Sequence, residues 1–550
     1  MVDEKIYTAF TFAPVQATIE KSRKLRDLYG ASQILSYLSQ QVALEAKKTA
    51  YVISPANPNI DKGMPNRILI RGRFGEKQAR NALTQAWKLI LNECQTWIER
   101  NLREDVLSQR YCWDREWANW GNHAWEVFWG EGETIPQALQ DLETRKLSRS
   151  WTAVNWIGES SSLTGTDGIA FPGIGATSRN PNTCKWGDED DEIKAFYKSL
   201  ACVLEYKSLD EEPEGTFVAT NEKLSIPELV KRLVTRDNIA ERLGMTPLEE
   251  GFSDIYRRPE TITDSDKGRW TGWFMGDGDK VGEHLKYLSR LDNNDEAIQN
   301  FSQAMRNWGD KFSNDFFNVQ KLGRVVYAGG DDFLGVIYNE KHQAPINPQA
   351  ALDWLIEFPN QWAEHGQLKE DKEILGVSVG FIWAAHSVPQ RDVLQHCREA
   401  EKVSKSLGRH RVTIRVLFNS GQYLEWTCPW DKLSILRQYR DRDYKTYAEW
   451  QASNFKKELQ PNWSHIYTDL SQLTARHAFQ LDKDTFDTEF AIQFLNIYFP
   501  GIEDELLDYD ATQHLVGFSD DADGFERAKA TVEWICNLIN VGWHLCSNNL

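Results

Sequence analysis

Val326-Tyr327-Ala328-Gly329-Gly330-Asp331-Asp332-Phe333-Leu334-Gly335-Val336-Ile337 holds two apolar runs pinched around a Gly-Gly-Asp-Asp tip. It reads as a β-hairpin with carboxylates at its turn, because glycines accept the positive φ that tight antiparallel turns require. Adjacent aspartates at such a turn repel each other, and a divalent cation relieves that repulsion. Upstream, Trp273-Phe274-Met275-Gly276-Asp277-Gly278-Asp279 is a second apolar run ending in acidic residues and glycine, followed by a helix predicted from Val281. If this strand lies beside the hairpin, Asp277 meets Asp331 and Asp332 at one sheet edge. The three then supply the oxygen-rich, partly hydrated site that Mg²⁺ prefers.

Gly-Gly-Asp-Asp on its own also reads as a plain solvated turn. The upstream Asp-Gly-Asp shifts the balance: two acidic tips, each ending an apolar strand and separated by a helical segment, match the palm of nucleotide polymerases and cyclases. In such palms two metals bridge the attacking hydroxyl and the triphosphate. Successive side chains of a regular strand face opposite ways, so only a turn conformation lets both hairpin aspartates reach a metal, and Asp331 ranks above Asp332. Asp279 reads as a turn or helix-capping residue rather than a ligand.

At 550 residues the chain exceeds one ordinary core, and length suggests roughly three or four domains. Hydrophobic residues at 41% and charged residues at 26% describe a soluble globular protein. The sequence shows neither an apolar span of membrane length nor a signal peptide, so cytoplasmic location without a membrane partner is predicted. The net charge of −18 excludes a protein that coats nucleic acid by bulk electrostatics, but not a local basic groove or contacts made through partner subunits. Cysteines at 94, 112, 184, 202, 397, 428, 536 and 546 form no Cys-x-x-Cys pair. That spacing fits reduced, mostly buried thiols better than a disulfide frame or a zinc ribbon.

In chain order, residues 6–13 are strand-like, 17–48 helical, 51–55 and 67–72 strands, and 76–102 a long amphipathic helix. This is a ferredoxin-like half without acidic tips. Its basic cluster Lys21, Arg23, Lys24 and Arg26 reads as a solvated helix face or as a phosphate or RNA contact. Residues 104–151 are helical and Trp-rich, 160–184 form a Gly/Ser-rich loop, and helices return at 192–204 and 226–243. The second palm-like unit follows, with a strand at 270–277, helices at 281–291 and 296–319, and the hairpin at 324–338. It continues with a helix at 348–358, a strand at 375–385, a helix at 390–406 and a strand at 411–418. Beyond Gly421 the pattern is almost wholly helical, with turns at Pro461, Pro500-Gly501 and 520–524.

With these residues in view, the chain resembles the large subunit of type III CRISPR-Cas effector complexes, the Cas-ten family in its Cmr form. Ser22-Arg23-Lys24-Leu25-Arg26-Asp27-Leu28-Tyr29-Gly30-Ala31-Ser32, with Leu35-Ser36-Tyr37-Leu38, is similar to that family's first-palm helix. Gly276-Asp277-Gly278-Asp279 and Gly329-Gly330-Asp331-Asp332 are similar to its two acidic motifs. Ser404-Lys405 and Gly408-Arg409 resemble its phosphate-binding Ala-Lys and Gly-Arg-Asn, from which Ser404 and His410 depart. Many members open with a His-Asp nuclease domain. This chain has no His-Asp dipeptide and only His123 before residue 260, so DNA cleavage by this subunit is not expected. Many also carry a four-cysteine zinc knuckle; here Ser162-Leu163-Thr164-Gly165 and a lone Cys184 stand in that region, and no structural zinc is expected.

The resemblance implies an α+β fold of two ferredoxin-like palm domains with a helical insert and a helical C-terminal domain. The implied division is a first palm at 1–103, a helical and irregular linker with a degenerate zinc-knuckle region at 104–264, a catalytic palm at 265–420 and a helical domain at 421–550. It further implies a nucleotidyltransferase that, when its complex holds guide and target RNA with other Cmr-type subunits, joins ATP into cyclic oligoadenylates using two Mg²⁺ or Mn²⁺ ions. Asp277, Asp331 and Asp332 would be the catalytic and metal-holding residues. Gly278, Gly329, Gly330, Lys405 and Arg409 would line the nucleotide. A related transferase with a different adenylate product, a non-catalytic scaffold and a stand-alone cyclase of the GGDEF type remain the alternatives.

Overall fold

The computed structural model describes residues 6–56, 65–102, 107, 112–148, 154–156, 158–174, 190–252, 255–257, 268–340, 343–482 and 485–547. Packing divides the chain into two compact units. One gathers Met1–Ser253, Gly282–Asp310 and Tyr327–Gly330; the other gathers Asp254–Val281, Lys311–Val326 and Asp331–Leu550.

In the first unit, strands β1 (Tyr7–Ala13), β2 (Tyr51–Ser54), β3 (Ile68–Arg71) and β4 (Glu126–Gly132) form a sheet in the order β2-β3-β1-β4. Every neighbouring pair is antiparallel, which is the ferredoxin-like arrangement. The Leu25–Lys47 and Glu76–Asn101 helices carry apolar residues at helical spacing, Ile34, Leu38 and Val42 on one and Leu83, Ile90 and Cys94 on the other, into a shared buried core. The strand β4 corrects the helical reading of 104–151. Trp125-Glu126-Val127-Phe128-Trp129 combines aromatic and β-branched residues, and in so short a run helix and strand periods are hard to separate. Gly130 then lets the Ile135–Leu147 helix lie against β4, since a Cβ there would meet Leu142 N at 2.4 Å.

The basic cluster near the N-terminus is not a uniform solvated face. Arg26 is buried, and its guanidinium donates to Thr235 Oγ1 and Leu248 O, both at 2.6 Å, and to Glu249 O at 2.9 Å. Lys21 and Lys24 pair with Asp167 and Glu222, each at 3.0 Å. Beside them Asp27 accepts from the backbone N–H groups of Arg23 and Lys24, starting its own helix, and takes Arg232 Nε at 2.7 Å. Arg232 is fully buried and also donates to Glu222 and Phe217 O. The Ser22–Ser32 motif is therefore read first by the protein's own interior.

In the second sheet, β5 (Thr271–Gly278), β6 (Gly323–Gly329), β7 (Asp332–Ile337), β8 (Val377–Ala384), β9 (Arg411–Leu417) and β10 (Tyr423–Pro429) take the order β10-β9-β8-β5-β7-β6. Four of its strands, β8-β5-β7-β6, repeat the β4-β1-β3-β2 order of the first sheet, which carries the two-palm reading into topology. The parallel pair β8 and β9 is joined by the Gln390–Ser406 helix, as a parallel crossover requires. One face of β5 and β7 packs Phe274 and Phe333 among Phe312, Phe316, Trp354 and Phe358.

Strand β10 corrects the expectation that the chain is almost wholly helical beyond Gly421. It pairs antiparallel with β9 from Tyr423 opposite Leu417 to Pro429 opposite Arg411. A two-stranded pair, β11 (Gln480–Asp482) with β12 (Thr485–Phe486), is a second exception. The Gly524–Cys546 helix packs on β10, and Trp534 Nε1 donates to Thr427 O at 2.9 Å. The seven described cysteines are free and six are buried, in line with the thiol reading, while Cys184 lies outside the described residues. Among the described residues no helix is long and apolar enough to cross a membrane.

Replacing Arg232 by Met leaves Asp27 buried without its cation, which typically costs about 3–5 kcal/mol. The expected result is a lower denaturant midpoint for the first unit, followed by tryptophan fluorescence, and Arg232→Met with wild-type stability would contradict it.

Candidate active site

The acidic residues sit where two strand ends meet. In register, Gly276 lies opposite Phe333 and Asp277 opposite Asp332 across β5 and β7, while Ser378 of β8 lies opposite Asp277 on the other side. Directly opposed residues of an antiparallel pair share a face, so Asp332 stands on the face of Asp277. Asp331 occupies the turn just before β7, and its carbonyl accepts from Gly278 N at 2.8 Å. Gly330 supplies the left-handed φ of 88° that this turn uses, next to Gly329 at the end of β6. A Cβ on Gly278 would meet Val281 at 2.9 Å, Asp331 Cβ at 3.0 Å and Trp362 at 3.4 Å, so only glycine lets the two tips close together.

Charge follows from this crowding. Burial, and then the neighbouring charge of Asp277, push the Asp331 carboxyl up to about 7. Lys405, in the last turn of the Gln390–Ser406 helix, donates to Asp277 Oδ2 and lies 2.5 Å from Glu401 Oε1. Burial alone would lower the Lys405 pKa; the hydrogen bonds and charges of Asp277 and Glu401 outweigh it and hold the ammonium above its ordinary range. Burial also raises the Glu401 carboxyl. Glu401 was not among the residues singled out from sequence, although its position one helical turn before Lys405 is a visible Glu-to-Lys spacing.

Asp279 lies in the turn after β5, as the sequence suggests, and its carboxylate caps no helix. It is buried, accepts from Ser378 Oγ at 2.6 Å and from His410 N at 2.8 Å, and donates its own N–H to Gly376 O at 2.8 Å. It thereby braces the turn that carries Arg409, whose exposed residue adopts a φ of 64°. Ser404 is buried beside this turn, and its hydroxyl meets Val379 O and Thr413 Oγ1, each at 2.8 Å. A serine in place of alanine is thus satisfied by the neighbouring strands rather than turned toward a ligand.

Among the described residues no group of three His, Cys, Asp or Glu side chains is gathered closely enough to hold a metal ion. The donor chemistry nevertheless fits a hard divalent cation, since Asp277, Asp331 and Asp332 offer only carboxylate oxygens. The Lys405 ammonium against Asp277 marks the place as one that takes positive charge.

Two family models match the chain. "Cas10/Cmr2, second palm domain" covers residues 271–413, and "CRISPR-associated protein Cmr2, N-terminal" covers residues 7–92. The chain carries a Cas10/Cmr2 second palm domain and a Cmr2 N-terminal domain. The second-palm match contains Asp277, Asp331, Asp332, Lys405 and Arg409, and the N-terminal match contains Asp27 with its helix. No curated protein matches. Solved structures with a similar course include a Csm1-Csm4 cassette in complex with one ATP, at 14% identity and TM-score 0.43, covering 99% of this chain and 70% of that one. The apo state of a type III-B Cmr-beta complex gives 11% identity and TM-score 0.49, covering 98% and 82%. Csm1 of T.onnurineus gives 13% identity and TM-score 0.42, covering 98% and 70%.

The Cas10-like palm should show its carboxylate crowding in its stability. Asp331 carries a folded-state pKa of about 7 against an ordinary 3.8, so the folded protein binds more protons than the unfolded chain between these values and loses stability as pH rises through them. In a metal-chelating buffer, Asp331→Asn should melt like wild type below about pH 4. It should gain progressively to about pH 7 and hold a constant advantage above that. Melting midpoints that track wild type at every pH would refute the crowding.

Proposed function

We propose that this chain is the nucleotide-transferring subunit of an RNA-guided type III effector complex, in which a ribose hydroxyl of one ATP displaces pyrophosphate from the α-phosphate of the next, closing adenylates into cyclic oligomers. The observation that carries the reading is the meeting of the β5 and β7 tips, with Asp332 in register with Asp277 and the charge of Asp277 acting on Asp331. A solvated hairpin turn has no reason to place a second acidic strand end and a lysine against itself.

Asp277 and Asp331 would hold the divalent ions, with Asp332 beside Asp277 on the shared face. Mg²⁺ or Mn²⁺, when bound, supplies charge neutralisation for the phosphates and makes a hydroxyl more acidic. Lys405 and Arg409 stand on the helix end and the turn that follow, and in this reading they would meet the triphosphate. Gly278, Gly329 and Gly330 keep the tips free of side chains, so that phosphates can approach the backbone. Guide RNA, target RNA and other Cmr-type subunits are the partners of this reading, and the cytoplasm its compartment. The net charge of −18 favours RNA held largely by those partners rather than by this chain alone.

Asp331→Ala combined with Asp332→Ala should reduce product from the assembled complex with ATP, Mg²⁺ and target RNA by about a hundredfold or more, the scale of losing a transition-state charge contact. Complex assembly and target-RNA binding should persist, because removing repelling carboxylates costs little stability. Asp277→Ala should behave alike. Mass analysis finding cyclic oligoadenylates at wild-type rate from either variant would displace the active site from this palm; a different adenylate product from the unmodified complex would keep the palm and change the second substrate.

A further inference from the structure

We propose that Lys405 is a built-in counter-ion for Asp277, and that Glu401 is the positioning residue that receives the ammonium when a divalent cation claims Asp277. The inference rests on the reading of Asp277 as a metal-holding residue and concerns what occupies that carboxylate beforehand.

The geometry places one ammonium between two carboxylates. Lys405 Nζ touches Asp277 Oδ2 and lies 2.5 Å from Glu401 Oε1. Glu401 is a full helical turn earlier and has only 12% of its side chain exposed, against 34% for Asp277 and 31% for Lys405. The inner carboxylate is therefore shielded from solvent and the outer one is open to incoming ions.

The helix that carries both residues is seated on β8 with no room to shift. Gly380 accepts its backbone so closely that a Cβ there would meet Cys397 O at 2.4 Å and Glu401 N at 2.5 Å. Movement is thus confined to the four-carbon stem of the lysine, which is flexible and carries three rotatable donors. A divalent ion and an ammonium compete for the same Asp277 oxygen, because two cations at contact repel strongly where solvent is partly excluded. Glu401 already lies in reach, so Lys405 can give up Asp277 and remain neutralised beside the site. There the ammonium faces the region where a triphosphate would bring negative charge. The same side chain serves as counter-ion before the metal arrives and as phosphate contact afterwards, and Glu401 decides how readily it changes role.

Mn²⁺ titration of the full-length chain, without nucleotide, tests this by calorimetry and by the electron paramagnetic resonance signal of free Mn²⁺. Lys405→Met should bind Mn²⁺ about tenfold more tightly than wild type, and Glu401→Gln should bind it more weakly. Simple through-space charge would give both signs as well, so the double variant decides. If Glu401 acts through Lys405, Glu401→Gln has no effect in the Lys405→Met background, whereas a through-space effect survives there unchanged and overturns the proposal. Equal affinity in all four proteins overturns it while leaving the metal reading intact. Absence of Mn²⁺ binding in all four removes both.

Discussion

Carboxylates placed side by side at the end of a sheet cannot all keep a full negative charge without a cation among them. This constraint orders the second unit. Asp277 and Asp332 face each other across β5 and β7, Asp331 follows Gly330 in the turn, and the strands tolerate the arrangement because Lys405 brings an ammonium to Asp277. The supporting elements serve the same end. The parallel crossover from β8 to β9 delivers the lysine helix to the correct end of β5, and glycines at 278 and 380 remove the side chains that would hold tip and helix apart.

The first unit repeats the strand order but uses charge differently. Its β1 corresponds to β5, yet it ends at Ala13-Pro14 with no acidic tip. Its charges are turned inward instead, where Arg232 joins Asp27 and Glu222 and Arg26 holds the backbone near Leu248. A buried ion group of this kind adds little net stability over a well-packed apolar core, yet removing one member is costly. The same topology therefore carries an open charged tip in one unit and a closed charged interior in the other.

The acidic tips were legible because glycine and aspartate ending apolar strands leave a local signature, and the order of strands and helices around them was legible from alternation and helical periods. Strands β4 and β10 were not. Both are rich in aromatic residues, and β4 falls within a Trp-rich stretch whose apolar residues suit a helix as well as a strand. The role of Asp279 was equally hidden, because its partners Ser378 and His410 are distant in sequence and carry no motif. The basic N-terminal cluster misled for a related reason: sequence gives the sign of a charge but not whether a carbonyl or carboxylate from another segment will cover it. Glu401 was within reach of sequence reasoning, as a glutamate one turn before a lysine, but that spacing is common on exposed helices and points to no site by itself.

Asp279 ties together three chain segments, the end of β5, the start of β8 and the turn before β9. Its consequence is mechanical. The strand that presents Asp277 and the turn that presents Arg409 are clamped to one another through a single buried carboxylate, so their separation is set when the protein folds. A ligand arriving at these residues meets a frame of fixed span, and the entropy of ordering that frame has already been lost during folding rather than at binding.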